Sequence, residues 1–196
     1  FTTTSTIISG VDWITANHVK PAVVTMSLGI PADPIYYASL EEAIRRSIAQ
    51  GITYVVAAGN GPTNVNDVSP SRMPEVITVG STNSADQMAP DSNFGSGIDV
   101  FAPGVGVQSA SNIDFNGNGI FDDATGLLSG TSFAAPLAAG VAARFLEVVP
   151  NASPAAVQGA IVNSATLNVL SNLGPGSPNR LLFSELRHAF LGQTIR

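Results

Sequence analysis

The chain has 196 residues, 44% of them hydrophobic and 11% charged, which is enough apolar content for one sizeable core with little ionic surface. Its formal net charge of −6 argues against a nucleic-acid partner, whose phosphates need a basic surface. It contains no cysteine, so disulfides and thiolate metal sites are excluded, and no apolar run is long enough to span a bilayer.

Ile7, Ile8, Val11 and Ile14 recur at helical spacing and predict a first helix over 5–17. A strand follows at 23–27 and stops at Leu28-Gly29. A second helix is predicted over 36–50, with Tyr37, Leu40, Ile44 and Ile48 on one face. Glu41–Arg45 and Glu42–Arg46 form i,i+4 pairs on its other face. Gly51 is placed as the residue just past its end, where a left-handed backbone is common. Strands follow at 52–57, 76–79 and 98–101.

A strand, helix, strand succession at this spacing is a βαβ unit of a parallel sheet. The strands are nearly continuous apolar runs, as expected where both faces of the sheet are covered. Chemistry in such sheets gathers at the carboxyl ends of the strands. Ser27-Leu28-Gly29 and Ala58-Gly59-Asn60 fall there.

The run Ser129-Gly130-Thr131-Ser132-Phe133-Ala134-Ala135-Pro136 delivers one serine to the first turn of a helix that is apolar all round until Arg144. A helix without a polar face is expected to be buried. At its start, free backbone N–H groups and the positive end of the dipole suit a nucleophile whose reaction builds an oxyanion. On local pattern alone Ser132 is equally an N-cap serine, and Asn60 before Gly61-Pro62 reads better as a turn asparagine. A last helix is predicted over 153–163, with Ser153 as N-cap and Pro154 at its first position. The tail beyond it carries no readable pattern.

Three ordered blocks resemble the subtilisin-like serine proteases, and within them the proteinase K branch: Met26-Ser27-Leu28-Gly29, Ala57-Ala58-Gly59-Asn60 and Gly130-Thr131-Ser132. A fourth stretch, Ser5 to Asp12, opens the likeness, which covers nearly the whole chain. It implies one α/β domain over 1–196, a three-layer fold around a parallel sheet that lacks its N-terminal strands and helices. It also implies a serine endopeptidase acting on polypeptides, with Ser132 as nucleophile and Asn60 in the oxyanion hole. Ser27, Leu28 and Gly29 would pair with an extended substrate, while Ala57, Ala58 and Gly59 would wall the first specificity pocket.

In the same branch an aspartate at the position of Asp99 binds calcium with two carbonyls that correspond to Pro74 and Val76. The plainer alternative for Asp99 is a strand-edge carboxylate held by backbone N–H groups. An insertion relative to the family places Asp114, Asn116, Asn118 and Asp122 at the spacing of an EF-hand-like loop, although Thr125 stands where a glutamate is expected. That segment is equally a Gly/Asn/Asp-rich surface loop. No catalytic cofactor is implied; structural Ca²⁺ would be a staple for a secreted, disulfide-free protein.

A serine nucleophile needs a histidine base and an orienting carboxylate, which in the subtilisin order precede the serine. The chain holds only His18 and His188, and neither stands in the family's His-Gly-Thr-His context. Both are expected to be surface residues. The base and carboxylate are therefore expected upstream of residue 1, together with any propeptide, and the chain alone is expected to be inactive. The alternative is a non-catalytic module of the same fold that binds peptide or calcium.

Overall fold

The computed structural model describes residues 3–31, 34–110 and 125–185. The predicted Asp114–Asp122 loop and His188 lie outside them.

Helix α1 (Thr4–Asn17) starts where the Thr3 hydroxyl accepts from the N–H of Thr6 at 3.3 Å. Strand β1 (Ala22–Met26) leads through a short β2 (Ile30–Pro31) into helix α2 (Pro34–Ala49). Gly51 ends α2 with φ +89°, as its sequence position suggested, and its N–H bonds Ile48 O at 2.8 Å. Strand β3 (Ile52–Ala57) is buried along its whole length. A 3₁₀ turn (Val65–Asp67), β4 (Val68–Ser69), β5 (Ile77–Thr82), β6 (Val100–Pro103), β7 (Val107–Ala110) and β8 (Thr125–Leu128) follow. Helices α3 (Thr131–Val148) and α4 (Pro154–Ser164) and two short strands, β9 (Thr166–Leu167) and β10 (Arg180–Leu181), complete the order.

Six strands form the central sheet in the order β1-β3-β5-β6-β10-β9. Its neighbours are parallel except β10 and β9, which are antiparallel. Alternation along β3 divides the core. Val55 and Ala57 pack under α3 and α4, while Ile52, Tyr54 and Val56 pack under α1 and α2. The result is the three-layer arrangement expected from the sequence.

Several expectations change. β5 runs to Thr82 rather than ending at Val79, because Gly80, Ser81 and Thr82 pair with Phe101, Ala102 and Pro103 of β6. Gly80 fits there for want of a side chain: a Cβ would stand 2.4 Å from the Phe101 ring. The antiparallel pairs β2–β4 and β7–β8 had no sequence signal. Helix α3 is buried on one face only. Ala134, Ala138, Val141 and Phe145 face the sheet, whereas Leu137 is 42% exposed. Glu41 is not on an outer face but buried, with Arg45 and Arg72 each 3.3 Å away.

Candidate functional site

Strands β1 and β3 lie side by side, so their carboxyl ends deliver Ser27-Leu28-Gly29 and Gly59-Asn60 to the same edge of the sheet. Helix α3 begins against that edge. Its N-cap, Gly130, has φ +136°, which a residue with a side chain rarely adopts, and a Cβ there would lie 3.1 Å from Asn60 Nδ2. Glycine at this position lets the chain turn into α3 and come close to Asn60 at once. Ser132 then falls in the first turn, half-buried.

The orientation of the Asn60 amide is fixed by Thr131. Asn60 Oδ1 accepts from the Thr131 backbone N–H at 2.8 Å and from its hydroxyl at 2.9 Å. The same hydroxyl oxygen accepts from Gly59 N–H at 3.1 Å. With the carbonyl end of Asn60 engaged, its Nδ2 is turned out toward the cleft. Among the described residues neither Asn60 Nδ2 nor the Ser132 N–H has an acceptor. Two neutral donors beside one hydroxyl are the arrangement that stabilises an oxyanion.

The loop carrying Asn60 is stapled by Asn93, which is buried. Its Oδ1 accepts from Gly61 and Thr63 N–H at 3.0 and 3.1 Å, and its Nδ2 donates to Ala58 O at 2.7 Å. Gly59, at φ +102°, is required here because a Cβ would sit 2.4 Å from Asn93 Nδ2.

Ser27 is tied to Ser132. Its hydroxyl donates to Ser132 O at 2.9 Å. In an uninterrupted helix that carbonyl would accept from the N–H of residue 136, which here is proline and has none. The strand end thus supplies the hydrogen bond that the helix lacks.

A cleft of about 320 Å³ opens along these residues. Ser27, Leu28 and Gly29 line one side, in no strand, and Ala57, Gly59, Asn60, Thr131 and Ser132 line the other; among the described residues no charged one lines it. Ala58 departs from expectation. Its side chain points the other way, into a cluster with Val65, Ile98 and Phe101. Ala57, the last residue of β3, and Gly59 thus line the cleft, while Ala58 between them lies behind it.

His18 is not brought to this cleft. It caps the end of α1, where its N–H bonds Ile14 O at 2.9 Å and its Nδ1 lies 3.0 Å from Thr15 O. It precedes β1, whereas Ser27 follows β1, so the two stand at opposite ends of that strand. Among the described residues no cluster of histidine and carboxylates could hold a metal ion.

The sequence model of the subtilase family, peptidase S8, matches residues 1–182. The chain belongs to the subtilase family. It is 43% identical over 180 residues to an extracellular serine proteinase of Thermus sp. strain Rt41A, covering 92% of this chain and 41% of that one. It is 38% identical over 190 residues to alkaline serine exoprotease A of Vibrio alginolyticus, covering 97% and 33%. The crystal structure of a cold adapted subtilisin-like serine proteinase superposes with a TM-score of 0.84 at 38% identity, over 94% of this chain and 62% of that one. This subtilase chain therefore spans between a third and a half of those two relatives, and its fold is that of a partial subtilisin domain.

At the far end of the sheet the subtilase chain brings Asp99, Pro74 O and Val76 O together. The point on which they converge is the Gln158 side-chain nitrogen of α4, 3.1 Å from Pro74 O, 3.0 Å from Val76 O and 3.1 Å from Asp99 Oδ1. Asp99 Oδ2 accepts from Thr78 N–H at 2.8 Å. Burial pushes the Asp99 carboxyl up to about 6, against the opposing pull of the Thr78 N–H, the Gln158 amide and the Arg180 charge. Two carbonyls and a carboxylate are hard oxygen donors of the kind that suit Ca²⁺, so the donor set fits the ion chemically.

Thr131, Asn93 and Gln158 were not foreseen from sequence. Thr131 stood beside Ser132 in the motif, but its role depends on Asn60, 71 residues away. Nothing local marked Asn93 or Gln158.

Proposed function

We propose that this chain carries the nucleophile and oxyanion hole of a serine endopeptidase. The observation that carries the proposal is the Asn60 amide, its oxygen locked by Thr131 and its nitrogen without an acceptor among the described residues, in the cleft that Ser132 also lines. Ser132 Oγ attacks the scissile carbonyl while a base takes its proton. The oxygen that becomes negative receives hydrogen bonds from Asn60 Nδ2 and Ser132 N–H. The amine leaves with that proton, and water hydrolyses the acyl-enzyme.

The substrate is a polypeptide lying extended along Ser27-Leu28-Gly29, its side chain facing Ala57 and Gly59. The uncharged lining supports an apolar or aromatic residue at that position. His18 sits at the other end of β1 from Ser27, and neither His18 nor His188 stands in the family's His-Gly-Thr-His context; on this reading the base and its carboxylate are supplied from outside these 196 residues, and residues 1–196 alone are inactive. The relative from Thermus is named extracellular, which supports secretion, and no described helix is long and apolar enough to cross a membrane.

The test is a fluorophosphonate probe, which traps activated serines, applied to the full-length gene product. Labelling that disappears in Ser132→Ala supports the proposal. A folded full-length product that resists the probe overturns it in favour of a peptide-binding module.

A further inference from the structure

We propose that Arg72 is a positioning residue for the substrate, clamping β4 onto α2 and so setting the cleft wall beyond Gly29, a role that rests on the endopeptidase reading for where the polypeptide lies. The wall is thin. It consists of β2 and β4, two residues each, paired as Ile30 with Ser69 and Pro31 with Val68. Pro31 has no N–H to give to the pairing, and a two-stranded ribbon this short does not hold its shape unaided. Yet Ile30, Pro31 and Val68 all line the cleft. Val68 also meets the strand end: a Cβ on Gly29 would lie 3.0 Å from Val68 Cγ1. A shift of β4 therefore changes the width of the cleft where an extended chain passes Gly29.

What holds β4 is the turn after it. The Val68 carbonyl accepts from the Arg72 N–H at 2.9 Å and from the Ser71 hydroxyl at 3.1 Å. From the same residue the Arg72 side chain reaches α2. Its Cζ stands 4.5 Å from the centre of the Tyr37 ring, and its Nε 3.3 Å from Glu41 Oε1. One residue joins wall to helix, with its backbone on Val68 and its guanidinium on Tyr37 and Glu41. The buried Glu41 does not depend on it for a partner. Arg45, one turn along α2, lies 3.3 Å from Glu41 Oε2, and the Arg72 contact is a charge pair without hydrogen-bond alignment. Without the Arg72 guanidinium the carboxylate stays paired, so the fold survives while the wall loosens.

The experiment uses the full-length gene product and peptide amides whose acyl part is one or four residues long. Arg72→Met keeps an apolar stem over Tyr37 but no charge. It is expected to raise KM for the four-residue amide about threefold to tenfold, with kcat nearly unchanged. The one-residue amide and a small fluorophosphonate, which do not extend to Val68, are expected to react at wild-type rates. A clamp that served stability alone would slow all of them together as the folded fraction falls. Arg72→Lys keeps a cation over the ring and is expected to restore part of the loss. Tyr37→Leu is expected to raise the same KM, and to add little in the Arg72→Met background. An unchanged KM for the four-residue amide, or equal losses on the two amides, overturns the inference. Tyr37→Leu decides the matter if Arg72→Met fails to fold. Should the folded wild type resist the probe, the endopeptidase reading falls by itself, and the clamp is read from the Kd of a four-residue peptide. Weaker binding by Arg72→Met then supports it and unchanged binding overturns it.

Discussion

The tie between Ser27 and Ser132 predicts a coupling that a double-mutant cycle can read. Ser27→Ala removes the hydroxyl that donates to Ser132 O at 2.9 Å, and Pro136 leaves that carbonyl without a helical donor. A neutral hydrogen bond is worth about 0.5–1.5 kcal/mol net. Ser27 is exposed, so water replaces part of it and the lower half of that range applies, about a twofold to fivefold loss in rate. Pro136→Ala restores an N–H four residues after Ser132. In that background Ser27→Ala should cost almost nothing. The assay is the rate of labelling by a small fluorophosphonate on the full-length product, alongside kcat and KM on a peptide amide. A probe with no peptide strand isolates placement of the nucleophile from binding along Ser27-Leu28-Gly29. Equal losses in the two backgrounds, agreeing within about 0.3 kcal/mol, would refute the coupling.

Asn60→Ala should lower kcat by about a hundredfold to a thousandfold with little change in KM, the range known for loss of this donor in subtilisin itself. Asn60→Asp keeps an acceptor for both Thr131 bonds, so it should melt near the wild type yet lose more activity than Asn60→Ala; a variant as active as Asn60→Ala would contradict the donor role. Asn93→Ala should destabilise the fold by about 2 kcal/mol, because two backbone N–H groups and one carbonyl lose their partner; an unchanged denaturation midpoint would show that the loop holds without it. Asp99 gives a pH signature. Its folded pKa of about 6 lies above the ordinary 3.8, so between those values the folded chain holds more protons than the unfolded one. Its contribution is therefore intact below the lower value, declines as pH rises through about 6, and is flat above. Each pH unit between the two values removes at most about 1.4 kcal/mol of stability. Urea titrations from about pH 4 to about pH 7 should show this decline in the wild type and a flatter profile in Asp99→Asn.

The elements visible in the sequence were those whose partners are spread along one face at regular spacing. The apolar positions of α1 and α2 and the buried run of β3 fall in this class, and so does Gly51, where one residue's backbone freedom ends a helix. β2, β4, β7 and β8 are two to four residues each and are specified by their pairing rather than by any period. The single buried face of α3 was hidden because alanine and glycine give no amphipathic contrast. In the site, Ser132 and Asn60 were legible because small residues crowd around any serine or asparagine that the backbone must approach closely. Asn93 and Gln158 were not, since their bonds reach 32 and 84 residues along the chain and leave no mark on their neighbours.

Both ends of the sheet meet the same constraint, a chain with few charges that must hold oxygen atoms in place. At the cleft a neutral amide is the better tool. A fixed cation would bind the ground-state carbonyl strongly, whereas an N–H donor gains most as the oxygen becomes negative, and only that difference lowers the barrier. At the other end the neutrality has a cost. An amide nitrogen offers partial charge, where a divalent ion would hold the neighbouring carboxylate firmly ionised. The raised pKa of Asp99 reflects that balance: the Thr78 N–H, the Gln158 amide and the Arg180 charge together do not offset the burial of the carboxylate. The same kind of group thus suits the proposed oxyanion hole at one end because it is weak in the ground state, and leaves a poorly compensated carboxylate at the other for the same reason.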